Sequence, residues 1–281
     1  MLTPQLTSPD GTAKFLHALA DGLSVESVLV PFAKRDAVCL SSQVGCAMGC
    51  KFCHTGLMGL KRHLSAQEII DQYLKVKNWR QSLEADRLAP NIVFMGQGEP
   101  LHNFEAVKAA IEWLTHPKGA GLGPRQITVS TAGYVPGIER FNEFGGVNFA
   151  LSLHSPFDEE RSRLIPLNLR WSLDAVFAAI DTISLRTRQF INCEYLLMKG
   201  LNMSEDHAAA LAQRIGNRSA IINLIPFNPF PGAPWQRPSD EEIEGFKAQL
   251  VRHKLRVFLR TTKGDEIMAA CGQLNTSEVL I

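Results

Sequence analysis

An α/β fold, built as a partial six-unit (β/α) barrel with short N- and C-terminal extensions, follows from three observations. Short apolar runs alternate with amphipathic stretches of helical length, ~10–15 residues, the pattern of βαβ units and a parallel sheet. The turns rich in glycine and polar residues follow the apolar runs, at the strand ends where such barrels carry their sites. The chain of 281 residues is long enough to bury one core of this class.

In order, the pattern predicts a helix over residues 11–23, a strand over 25–31 and a buried strand over 36–42. Six helix–strand pairs follow: helices over 65–80, 104–114, 135–144, 172–185, 204–215 and 239–252, and strands over 91–95, 126–130, 147–153, 190–198, 220–225 and 255–259. Ser65 with Glu68 forms a capping-box signature ahead of Ile69, Tyr73 and Val76, which share a helix face. Ser172 is placed to cap its helix, and Ser239 precedes three acidic residues that suit a helix N-terminus. Residues 1–25 read as a short N-terminal extension and 26–281 as one catalytic domain. The stretch 225–234 is a rigid proline-rich loop rather than a linker.

Hydrophobic residues make up 45% and charged residues 20%, ordinary for a soluble globular protein. A net charge of +1 provides no overall attraction to nucleic acid, so any such contact must come from local patches: Lys61-Arg62-His63, Arg186 with Arg188, or Arg252-His253-Lys254 with Arg256. The six cysteines are too few for a disulfide scaffold and three of them cluster, which points to metal or redox chemistry in a reducing cytoplasm. Neither a secretory leader nor a membrane span is evident.

The clustered thiols are Cys46, Cys50 and Cys53, spaced CxxxCxxC. Three thiolates on a short loop can hold an iron–sulfur cubane and leave one iron open, and an open position is where a metal site does chemistry. A closed zinc site would need a fourth ligand, for which His54 is the adjacent candidate. Further motifs fall at strand ends: Gly98 and Glu99 in GQGEP, Ser130 in STAG, Ser152-Leu153-His154, and Asn228 in the proline-rich loop. Glycines there admit a ligand close to the backbone, and Glu99 can accept hydrogen bonds from an ammonium group. Cys193, in mid-strand, reads as a core thiol. Cys271 is followed by glycine and is open to either a structural or a reactive role. Taken alone, Glu26 reads as an exposed strand-end carboxylate.

The CxxxCxxC spacing is the signature of radical S-adenosylmethionine (SAM) enzymes. With VESVLVP, CLSSQVGCAMGCKFCHTG, GQGEP, ITVSTAG, SLHSP, LIPFNPFPG and RTTKGDEIMAACGQL in that order, the chain resembles the RlmN/Cfr family of radical SAM RNA methyltransferases over most of its length, and its RlmN branch in particular. It departs from the family in reading GQGEP for GMGEP, and in having only residues 1–25 where members carry an N-terminal accessory domain.

The resemblance implies one 4Fe-4S cluster held by Cys46, Cys50 and Cys53, and SAM contacts at Gly98, Glu99, Ser130, Ser152, Leu153, His154 and Asn228. It implies that two SAM molecules are consumed per methylation. Cys271 takes a methyl group as a thiolate from the first. The second yields a 5′-deoxyadenosyl radical that activates this S-methyl group for addition to carbon 2 of an adenine. That carbon is electron-poor, and polar methyl transfer would need a nucleophile there. Cys39 then resolves the adduct through a transient disulfide with Cys271. Glu26 stands where the family places the base that removes the adenine proton, which replaces its exposed-carboxylate reading. The implied partners are 23S ribosomal RNA, transfer RNA and an electron donor such as flavodoxin, with a cytoplasmic monomer as the default. The competing expectations are methylation at carbon 8 as in Cfr, another radical SAM substrate, and, from a different class, a zinc or thiol-redox protein.

Overall fold

The computed structural model describes residues 4–82 and 88–275. The chain opens with β1 (Leu6–Thr7), β2 (Ala13–Ala18), β3 (Ser24–Val30) and β4 (Ala37–Cys39). A loop segment follows, with β5 (Gln43–Val44), the one-turn helix α1 (His54–Leu57) and β6 (Arg62–His63). Then come α2 (Ala66–Ser82), β7 (Asn91–Phe94), α3 (Phe104–Thr115), β8 (Ile127–Thr131), α4 (Val135–Glu139) and β9 (Asn148–Ser152). The remainder comprises α5 (Asp158–Leu164), α6 (Leu173–Ile180), β10 (Ile191–Leu197), α7 (Glu205–Ile215), β11 (Ala220–Pro226), α8 (Asp240–Arg252) and β12 (Val257–Leu259).

Ten strands form one sheet in chain order, β1-β2-β3-β4-β7-β8-β9-β10-β11-β12, while β5 and β6 pair separately. From β4 to β12 every neighbouring pair is parallel. Each of the six parallel steps is bridged by helix, which gives the expected partial barrel, with β1 and β12 left as edges. The helices seal it: Ile69, Tyr73 and Val76 of α2 are buried on the expected face, and Val107, Ile111 and Leu114 of α3 are buried as well. The Ser65–Glu68 capping box forms, with Glu68 N–H donating to Ser65 Oγ at 3.2 Å and Ser65 N–H to Glu68 Oε2 at 2.8 Å.

The N-terminal region corrects one expectation. Residues 11–23 do not form a helix; Ala13–Ala18 is strand β2, antiparallel to β3 with Leu16 opposite Glu26. Leu19 N–H bonds to Leu23 O at 2.8 Å across a turn in which Gly22 has φ +82° and Asp21 Oδ1 accepts from Leu23 N–H. An Asp-Gly pair between two apolar runs is a hairpin signal, and the long-range pairing of β2 with β3 overrides the helical reading. Residues 6–25 thus continue the main sheet, and the boundary expected after residue 25 falls inside β3. A second difference is α5, which had no counterpart in the sequence reading. The expected helix over 135–144 divides into α4 and a 3-10 turn at Phe141–Phe144. No helix among the described residues is long and apolar enough to cross a membrane.

Candidate active site

The CxxxCxxC loop leaves β5 and closes onto α1, with Cys53 as the helix N-cap. Gly45 (φ +73°) is required there, because a Cβ would sit 1.8 Å from the carbonyl oxygen of Gly59. Cys46, Cys50 and Cys53 are free thiols that line one cavity of about 150 Å³. Burial pushes the Cys46 thiol up to about 12 and raises Cys50 and Cys53 as well. Metal binding would have to displace these protons, and thiolate ligation does so. Among the described residues, no three His, Cys, Asp or Glu side chains come close enough together to hold a single ion. His54, the candidate fourth zinc ligand, instead lies 2.9 Å from Asn275 Nδ2 through Nε2 and stacks on Phe230. Three free thiols on one short loop match the donor set of a cluster that leaves one iron open.

Gly98, Glu99, Ser130, Ser152 and His154 line the same cavity, so five of the seven expected SAM positions meet the three thiols. Gly98 has φ +101°, and a Cβ there would fall 2.5 Å from Gln43 Cβ. Glu99 is buried, with Oε2 accepting from Ala132 N–H at 2.8 Å and Oε1 from Leu101 N–H at 3.1 Å. Burial still outweighs those bonds and raises its carboxyl to about 7. An aligned ammonium group would favour its ionised form. His154 occupies left-handed backbone (φ 57°), and its Nδ1 accepts from Leu196 N–H at 3.0 Å. Burial, then the Arg161 charge, lower its pKa to about 3 and hold it neutral, with the proton on Nε2. Leu153 does not line the cavity; its side chain is buried in the main core, and its N–H donates to Glu194 O at 2.9 Å.

A second cavity of about 160 Å³ lies alongside, lined by Cys39, Asn228, Val28 and Val30. Asn228 thus stands apart from the other expected SAM positions, and its buried Oδ1 has no hydrogen-bond partner. Cys271, Glu194, Met95 and Ile225 line both cavities and form the partition between them. Cys271 is accessible yet hemmed in by protein, so desolvation and then Glu194 raise its pKa. Cys39, pushed up to about 12 by burial, also feels the charge of Cys271. The segment carrying Cys271 is strapped down: His54 N–H donates to Gly272 O at 2.7 Å, Thr55 Oγ1 to Leu274 O at 2.6 Å and Asn275 N–H to Glu26 Oε2 at 3.0 Å.

Glu26 is fully buried, against the exposed position that its strand-end pattern suggested. It lies on the β3 face that Val28 and Val30 turn to the second cavity, but its own carboxylate, covered by Lys14 and Asn275, lines neither cavity. Cys193 is fully buried in the main core, as expected of a structural thiol.

Two groups in or around the site, Arg161 and Gln43, carry no signal in the sequence, and a third, Gln97, stands out there only as a departure from the family motif. Arg161 is almost wholly buried and donates to the carbonyls of Ala132, Ser152 and Leu153 and to Asn168 Oδ1, tying together the ends of β8 and β9. Gln43 Oε1 accepts from Glu99 N–H at 2.8 Å. Gln97, the departure within GQGEP, accepts through Oε1 from Glu26 N–H at 2.9 Å and so links this loop to β3.

Residues 40–212 match the family model of the radical SAM superfamily. A Nitratidesulfovibrio vulgaris protein named dual-specificity RNA methyltransferase RlmN is 44% identical, over 97% of this chain and 76% of its own length. A protein of the same name from Syntrophobacter fumaroxidans is 43% identical, over 94% of this chain and 77% of its own length. A crystal structure of a radical SAM methyltransferase from Sphaerobacter thermophilus superposes with a TM-score of 0.90 at 41% identity, covering 98% of this chain and 81% of that one. By motif, fold and relatives, the chain belongs to the radical SAM superfamily and, within it, to the RlmN family of dual-specificity RNA methyltransferases.

Proposed function

We propose that this protein methylates carbon 2 of an adenosine in 23S ribosomal RNA and in transfer RNA, using Cys271 as methyl carrier and Cys39 as resolving thiol. One observation carries the reading. Cys271 stands in a partition whose one side holds the CxxxCxxC thiols and the expected SAM positions, and whose other side holds Cys39. A carrier that collects a methyl group in one chamber and delivers it in another needs that position.

Cys46, Cys50 and Cys53 hold the 4Fe-4S cluster. When bound, the cluster supplies the electron that cleaves SAM and makes a radical available. Glu99 receives the ammonium group of SAM, while Gly98, Ser130, Ser152 and His154 shape its cavity. Leu153 contributes through its backbone, and Asn228 offers its unpartnered Oδ1 from the neighbouring wall. Cys271 gives up its proton, and its sulfur forms a bond to the methyl carbon as the SAM sulfur leaves. After the methyl carbon has joined the adenine, Cys39 attacks the Cys271 sulfur; the disulfide forms as the bond from that sulfur to the methylene carbon breaks, and the released carbon takes up the proton given up by the Cys39 thiol to become the methyl group. Glu26 takes the adenine proton, which requires Asn275 to give way. The protein acts as one catalytic domain that includes the sheet strands of residues 6–25, in the cytoplasm and as a monomer, with a flavodoxin-type donor feeding the cluster.

Mass spectrometry of nucleosides from RNA incubated with anaerobically reconstituted protein, SAM and reductant tests the reading. The expected product is 2-methyladenosine. Exclusive 8-methyladenosine would transfer the protein to the Cfr-like reaction, and no methyladenosine from either RNA would overturn the proposal.

A further inference from the structure

We propose that the loop beginning at Phe32 and the segment 260–263 form an RNA-docking rim at the second cavity, with Phe32 stacking on a base beside the target and Arg260 and Lys263 holding the backbone. The inference rests on the reading that this cavity receives the target adenine. With a net charge of +1, the chain must draw a polyanion by local charge. Most of the arginines in the basic clusters evident in the sequence are engaged within the protein. Arg62 pairs with Asp21 and Glu68, Arg186 donates to Gly145 O, and Arg252 and His253 pair with Glu205.

The rim is different. Among the described residues, Lys34, Arg35, Arg260 and Lys263 make no ion pair with any carboxylate. Lys263 and Arg260 feel Asp10 and the buried Glu194 only at longer range. Arg260, Lys263 and Phe32 line the cavity that contains Cys39 and Cys271. Phe32 is 42% exposed, and Lys263 Nζ lies 5.7 Å from its ring centroid. Enzymes that act on a base must take it out of the stack. Unstacked strands are bound by aromatic faces for the bases and cations for the phosphates. An exposed ring beside unpaired cations, at the mouth of the cavity with both thiols, supplies that combination in one place.

The test is binding of an RNA hairpin carrying an unpaired adenosine to reconstituted holoenzyme, measured across a salt series, with methylation of the same hairpin followed in parallel. Phe32→Ala is expected to weaken binding about 5- to 100-fold, the worth of one base–aromatic stack, while Phe32→Trp retains it. Lys263→Ala is expected to lower the slope of log K against log salt by about 0.7, one phosphate contact on a single strand. Arg186→Ala and Arg252→Ala should leave the slope unchanged. Wild-type affinity and slope in Phe32→Ala and Lys263→Ala would overturn the rim, as would a loss confined to Arg186→Ala or Arg252→Ala. Failure of the wild-type protein to methylate any RNA would instead overturn the underlying functional reading, and the two failures are read from separate measurements.

Discussion

Lys14 and Glu26, on neighbouring antiparallel strands, form a buried ion pair with Nζ 3.0 Å from Oε1 and side chains 7% and 0% exposed. The carboxylate's other oxygen accepts from Asn275 N–H, so the pair lies directly beneath the strap that carries Cys271. Burial nonetheless raises the Glu26 carboxyl above its ordinary value, with Lys14 opposing. Removing Lys14 leaves a buried charge uncompensated, which costs about 3–5 kcal/mol. Lys14→Met should therefore lower the urea unfolding midpoint strongly at neutral pH. A group whose folded pKa is raised contributes most below its unfolded pKa and loses that contribution as pH rises through the folded one. The deficit of Lys14→Met should accordingly shrink in acid, where Glu26 is protonated. A deficit that stays constant with pH would refute this account of the pair.

Gln97 supplies a second test. It is fully buried and its side chain accepts the Glu26 N–H at 2.9 Å, so Gln97→Met removes the acceptor from a buried donor. The expected cost is about 1–3 kcal/mol, with no change in the product formed. Chemical denaturation of the two proteins measures it, and equal midpoints would show that the donor finds another partner.

The hairpin also contains a pH-sensitive element. His17 is buried with Nε2 2.7 Å from Ser27 Oγ, and burial, then Lys75, depress its pKa from 6.5 to about 3. For a depressed group, the stability is present above the unfolded pKa and is lost as pH falls through the folded one. Between pH 6.5 and about 3 the wild-type protein should therefore lose up to roughly 5 kcal/mol from this residue. His17→Gln, which cannot charge, should show a shallower acid limb in a plot of unfolding midpoint against pH. Superimposable acid limbs would count against it.

The cysteines separate by role. Cys39→Ala should accumulate a covalent enzyme–RNA adduct, seen as a denaturant-resistant shift of labelled RNA, whereas Cys271→Ala should form none. Cys193→Ala, a core replacement away from both cavities, should turn over normally and cost about 1 kcal/mol. Multiple turnover by either of the first two variants, or a folded but inactive Cys193→Ala, would dismantle the division.

Much of this protein is encoded by local pattern. The order and kind of the six helix–strand units were legible because hydrophobic period and capping residues act within a few residues of one another. The cluster loop was legible for the same reason: Cys46, Cys50 and Cys53 lie within one short stretch whose spacing the backbone enforces. The pairing of Cys39 with Cys271 was reached only through family resemblance. What the tertiary structure decided depends on strand register and chain reversal, which no local preference sets. Residues 13–18 became a strand because β3 offered a pairing edge. Glu26 left the surface because Lys14 and the strap at Asn275 cover it. Asn228 separated from Glu99 because the loop after β11 carries it to the second cavity while the GQGEP turn faces the first. Arg161 became the tie between two strand ends because α5 returns beneath the carbonyls of Ala132 and Ser152, and only in that fold do its four acceptors converge.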